Sequence, residues 1–182
     1  MTLCSRAFSL EFLSEFENEK SEWEKIWTNN RTWNAKMLGT GKSRKKGDFG
    51  LLGRIGKKFG YDIQAEWMRF DQVWYYYSLI EEAWIDLPWK TDVIIEHENN
   101  FQKFEYTLYK FEEASAPLKV GIFYPNNEIE EEALQQASKI ITKQINAYPG
   151  GVYLLIFGFM NNEGEIYWHA NEIDFKGNIT TL

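Results

Sequence analysis

Two short runs, residues 119–124 (KVGIFY) and 152–160 (VYLLIFGFM), are almost free of polar side chains, and a long helical pattern separates them. A strand without polar alternation has both faces to bury, so it belongs inside a sheet covered on both sides. The segment between, residues 128–147, carries Leu134, Ala137, Ile141 and Ile145 on one helical face. Pro125-Asn126-Asn127 and Pro149-Gly150-Gly151 punctuate its two ends. Strand, helix and strand in that order predict a parallel crossover.

The upstream half supplies further strands and the helices to cover them. Residues 9–27 predict one amphipathic helix through Phe12, Phe16, Trp23 and Trp27, and residues 32–38 a second, shorter one. Residues 39–48 (GTGKSRKKGD) have no apolar period and predict a loop. Residues 49–59 predict a helix stopped by Gly60, with Lys57 and Lys58 in its last turn, where cations suit the helix dipole. Strands follow at 61–68, 71–78 and 92–99, spaced for a meander, with 79–90 as a connection. Residues 101–114 predict a helix through Phe104, Leu108 and Phe111. After the run at 152–160 come a turn at 161–164, a last strand opening at 165–168, and a weakly patterned tail from Asn171. The expected fold class is α/β: a mixed β-sheet flanked by helices, as a single domain over residues 1–182, with a helical part to residue 60 and a core from 61 to 170.

Aromatic residues make up 17% of the 182, enough for a thick aromatic core or an aromatic-lined groove. The net charge of −7 argues against a nucleic-acid coat or a membrane-surface protein. The charge is uneven. Residues 36–58 hold eight bases (Lys36, Lys42, Arg44, Lys45, Lys46, Arg54, Lys57 and Lys58) against the single acid Asp48, a local +7 that leaves −14 on the rest. Such asymmetry is the form a polyanion contact takes, and Lys42, Arg44, Lys45 and Lys46 are its candidate residues. Cys4 is the one cysteine, so no intrachain disulfide forms, and a reducing cytoplasmic compartment is expected. No run reaches the length of a membrane-spanning helix.

Within 92–99 (DVIIEHEN), period-two alternation puts Asp92, Ile94, Glu96 and Glu98 on one face and Val93, Ile95 and His97 on the other. Carboxylates on so apolar a strand need a compensating cation or hydrogen-bond donors. Oxygen ligands alone favour Mg2+ or Mn2+ over zinc. Asp71 opens the preceding strand and Glu66 lies near the end of the one before, so a meander brings Asp71 toward Glu96. Glu66, Asp71, Glu96 and Glu98 are the candidate catalytic carboxylates. No G-x-S-x-G supports a serine hydrolase, and Gly39–Ser43 lacks the full phosphate-loop spacing.

An Asp at the start of one strand, some tens of residues before an acid-x-Lys on the next, is the pattern of the PD-(D/E)xK nuclease superfamily, which Asp71 and Glu96-His97-Glu98 resemble, and that family has a restriction-endonuclease-like core of helix, three strands, helix and strand. The matching run is 49–59, the strands from Tyr61, Asp71 and Asp92, the helix 101–114 and the strand 119–124, about the middle 75 residues. The resemblance implies a Mg2+- or Mn2+-dependent endonuclease acting on DNA. Asp71 and Glu96 would hold the metal, the carbonyl of His97 would be a further ligand, and Glu66 would be an auxiliary acid. It leaves room for a homodimer and gives no role at a membrane. Glu98 departs from the pattern, standing where the family carries Lys, and Phe70 stands where it carries Pro. Lys103 is a candidate for the displaced positive charge. The alternative is a catalytically inactive module of the same fold that binds a protein or nucleic-acid partner.

Overall fold

The computed structural model describes residues 3–39, 49–67, 69–76, 91–113, 115–125, 130–143 and 151–182. Four helices come first: α1 (Ser5–Glu17), α2 (Lys20–Ile26), α3 (Asn30–Leu38) and α4 (Gly50–Lys58). The expected single helix over 9–27 is thus two. The chain breaks at Asn18 and Glu19, and the break lets Trp23 of α2 fold back onto Phe16 of α1, ring centroids 5.5 Å apart. The Asn29 side chain caps α3 by accepting from Thr32 N (3.1 Å), and Gly39 ends it in the left-handed conformation, φ 68°.

Seven strands follow: β1 (Asp62–Trp67), β2 (Phe70–Tyr75), β3 (Thr91–Glu98), β4 (Leu118–Phe123), β5 (Val152–Met160), β6 (Ile166–Asp174) and β7 (Ile179–Thr181). They lie in one sheet in sequence order. β1–β2–β3 form the antiparallel meander, β3, β4 and β5 run parallel, and β6 and β7 return antiparallel. The two parallel steps are bridged by α5 (Phe104–Lys110) and α6 (Glu130–Ile141). Short 3-10 turns, Phe101–Lys103 and Phe111–Glu113, flank α5. The tail is the main difference from expectation. β6 runs on to Asp174, and a hairpin turns back into β7. The Asp174 carboxylate accepts the N–H groups of Lys176 (2.8 Å) and Asn178 (2.9 Å), and Gly177 takes φ 85°.

The sheet has a core on each face. On one, α1 to α4 bury Phe8, Phe12, Phe16, Trp33, Leu52 and Ile55 against Trp74, Val93, Ile95, Val120 and Ile156. On the other, Phe104, Leu108 and Phe111 of α5 and its flank, with Ala137 and Ile141 of α6, cover Val73, Ile94, Phe123, Leu155 and Phe157. β4 is buried along its whole length, as its composition requires. One buried cation pins α5 in place. Lys119 of β4, 1% exposed, donates to Phe111 O at the end of the helix (2.6 Å), and burial pushes its pKa down to about 8.

Among the described residues, no helix is long and apolar enough to cross a membrane.

Candidate active site

The meander and the first crossover together create a cleft at the carboxyl end of β3. The register Gln72↔Ile95, continued by one step, sets Asp71 of β2 opposite Glu96 of β3. Both side chains point to the α5 face. The contact is reciprocal: Glu96 Oε1 accepts from Asp71 N (3.1 Å), and Asp71 Oδ2 accepts from His97 N (2.7 Å). The two carboxylates thereby satisfy main-chain donors where the β2–β3 ladder ends.

Lys110, on the last turn of α5, faces them. It is 8% exposed and Glu96 is 6% exposed, and Lys110 Nζ lies 2.7 Å from Glu96 Oε1. The same ammonium donates to the carbonyl of Arg69, in the β1–β2 turn. Helical spacing put Leu108 and Phe111 in the core, and the same turn of helix carries Lys110 to the sheet edge. The sequence pointed to Lys103 as the displaced cation. Lys103 Nζ is 4.0 Å from Glu98 Oε2, at the lip of the cleft, and Lys110 is the cation at Glu96. A lysine in the last turn of a helix reads as ordinary dipole complement, so nothing in the sequence marked it.

The cleft is about 550 Å3, lined by Asp71, Glu96, His97, Glu98, Lys103, Tyr106, Thr107 and Lys110. Burial first, then the charge of Asp71, raises the Glu96 pKa from the usual carboxylate range to about 7, despite Lys110. Burial raises Asp71 as well, with the charges of Glu98 and Glu66 adding to it and the His97 N–H and Lys110 opposing. Glu98 is partly exposed, and its Oε1 accepts from Asn100 N (2.8 Å). Glu66 lies on β1 with φ 55°, near enough to Asp71 to act on its charge but outside the cleft lining.

The His97 ring is on the opposite face of the sheet, as alternation predicts. Its Nε2 meets Tyr124 Oη (2.5 Å) and Trp33 Nε1 (3.2 Å), and Nδ1 is buried without a partner among the described residues. Burial lowers its pKa to about 3, so the ring stays neutral, and it faces away from the cleft. Only the main chain of His97 faces the carboxylates.

The basic segment divides. Lys36 pairs with Glu19 (3.0 Å) and Glu22 (2.7 Å), Arg54 with Glu15 (3.4 Å) and Glu19 (3.0 Å), Lys57 with Asp62 (3.0 Å), and Lys58 with Glu11 (2.6 Å) and Glu15. These four hold helices and strand ends together. Lys42, Arg44, Lys45 and Lys46 lie outside the described residues, as does the whole connection 79–90. The residues on either side of that segment are anchored: buried Gln72, next to Asp71, donates through Nε2 to Leu38 O (3.3 Å) and Phe49 O (2.8 Å).

As a metal site, the cleft offers Asp71 Oδ1 and Glu96 Oε2, the carboxylate oxygens not used in the bonds above. No group of three or more His, Cys, Asp or Glu among the described residues is arranged to hold an ion. Two carboxylates still suit Mg2+ or Mn2+, because Mg2+ keeps several waters and is held by one or two carboxylates together with substrate phosphate. No protein-family model matches the chain, and no curated protein matches it.

Proposed function

We propose that the cleft hydrolyses phosphodiester bonds of DNA, with Asp71 and Glu96 holding Mg2+ or Mn2+ and Lys110 supplying the positive charge that β3 lacks at Glu98. The observation that carries this reading is the meeting of Asp71, Glu96 and Lys110, from three separate elements, in one cleft. The order α4, β1, β2, β3, α5, β4, with β4 parallel to β3, supports a restriction-endonuclease-like core.

Asp71 and Glu96 would hold the divalent ion, which would supply Lewis-acid polarisation of a phosphate and a lowered pKa for a bound water. The rest is the chain's own work. Asp71 is oriented by the His97 N–H and Glu96 by the Asp71 N–H and Lys110, so neither carboxylate must reorganise to receive a charge. The Lys110 ammonium is fixed between Glu96 and Arg69 O, facing the space where charge develops on a transferring phosphoryl group. Lys103, exposed at the lip, meets the incoming phosphate backbone. Glu98 orients water or completes the cation site.

A second reading, a non-cleaving module of the same fold, draws on a different fact: Lys110 already neutralises Glu96, and both acids already serve main-chain donors. One experiment separates the two. The melting temperature should rise with Mg2+ or Mn2+ by mass action, and Asp71→Asn and Glu96→Gln should abolish the rise. Cleavage of single- or double-stranded DNA in Mn2+ should fall by at least about a hundredfold in both variants and in Lys110→Met, the scale of removing one preorganised charge. No thermal shift together with no cleavage by the wild type leaves only the binding module.

A further inference from the structure

Two tyrosines on α5 are left in water beside the cleft. Tyr106 is 56% exposed and lines the cleft, and Tyr109, 52% exposed, is one helical turn further on. Spaced i and i+3, they are neighbours on the helix surface, separated by about 4.5 Å along its axis. Among the described residues, the other exposed aromatic side chains have company: Tyr76 stacks on Tyr61 at 4.3 Å, and Lys176 lies over Phe175 at 5.6 Å. Tyr106 and Tyr109 make no ring contact and no side-chain hydrogen bond among the described residues. Lys103, its side chain 60% exposed, sits one turn before Tyr106 on the same side. A cation followed by two open aromatic faces, next to carboxylates suited to a phosphate-bound ion, is the pattern that tracks a nucleic-acid backbone while stacking its bases.

We propose that the cleft takes its nucleic acid as a single strand, with consecutive unpaired bases stacked on Tyr106 and Tyr109 and the backbone running past Lys103 to Asp71 and Glu96. The inference rests on the phosphodiester reading of the same cleft. It adds the form of the substrate. A duplex hides its base faces within its own stack, so it cannot use these rings, whereas an unpaired strand can. Every base has a π-face, so this surface selects strandedness and not sequence.

The test measures binding apart from cleavage. The full chain is titrated against a labelled single strand of about 12 nucleotides, within the usual range of such sites, and against the same sequence as duplex, in Ca2+ and again in chelator. The single strand should bind more tightly than the duplex by at least about tenfold, Tyr106→Ala and Tyr109→Ala should each weaken it by about five- to a hundredfold, and Tyr→Phe at either position should retain wild-type binding. Both side chains are exposed, so circular dichroism and melting temperature of the Ala variants should match the wild type. Equal binding of single strand and duplex overturns the proposal, as do Ala variants that bind like the wild type. Failure of both oligonucleotides to bind overturns it too. The parent reading fails separately. Tyrosine-dependent single-strand binding without cleavage in Mn2+ refutes hydrolysis and keeps the stacking surface. Cleavage of duplex with no single-strand preference does the reverse.

Discussion

Glu96 is the residue on which the cleft turns. It is buried, shares a boundary with Asp71, and is answered by one ammonium, that of Lys110. Its folded pKa of about 7 lies above the unfolded value near 4.5. Between those limits the folded protein holds a proton that the unfolded chain has lost, so this group's contribution to stability is full below the unfolded value and is lost as pH rises through about 7. Asp71 acts in the same direction. Stability to urea should therefore decline from pH 5 to pH 8, and Glu96→Gln should flatten the decline. A profile that Glu96→Gln leaves unchanged would contradict the burial of its charge. Lys110→Met leaves Glu96 without its cation. It should cost on the order of 3 kcal/mol at pH 8, where Glu96 is ionised, and clearly less at pH 5, where it is protonated. Denaturant melts at the two pH values check both expectations.

At the scale of elements, the site depends on how closely helices can approach the sheet. Gly56 lies inside α4, where alanine would normally favour the helix. A Cβ at this position would sit 2.9 Å from Ile63 Cδ1 and 2.9 Å from Trp74 Cε2, so α4 lies directly on β1 and β2. Gly56→Ala should thus lower stability by about 1–3 kcal/mol, the usual cost of overpacking, and a stabilised variant would show that the two layers are less tightly seated. Trp74 in turn donates to Gln72 Oε1 (3.1 Å), and Gln72 is the neighbour of Asp71. On the other face, α5 is fixed by Phe104, Leu108 and Phe111 in the core and by Lys119 at its end, which is why Lys110 arrives at the carboxylates with so little freedom.

For the whole molecule, charge decides how a polyanion could be attracted at all. The body outside residues 36–58 carries −14, and four of that segment's eight bases are engaged in internal ion pairs. Attraction from the basic segment must then come from Lys42, Arg44, Lys45 and Lys46. Replacing those four by Ser should weaken single-strand binding and make the slope of log K against log salt shallower by roughly 0.7 for each phosphate that is no longer neutralised. An unchanged slope in a salt titration would remove the segment from the interface. The sheet itself follows an economical path, each strand beside its sequence neighbour, so the cleft forms where the antiparallel meander hands over to the parallel crossovers.

The order of elements, the buried parallel strands and the division of β3 into a carboxylate face and a His97 face were all present in the sequence, because each rests on local periodicity or on a turn residue. Local pattern also suggested that Asp71 approaches Glu96, since a meander fixes register within a step or two. The break at Asn18 and the final hairpin to β7 were not visible, because both are stabilised by contacts between segments: Trp23 on Phe16, and β7 on β6. Lys110 was invisible for the same reason. Its role comes from the angle at which α5 crosses the sheet, and no spacing between Lys110 and Glu96 along the chain encodes that angle. Sequence by itself determined which residues could be acids on a buried strand. Only the tertiary structure decided which cation answers them, because side chains from separate elements meet only once both faces of the sheet are packed.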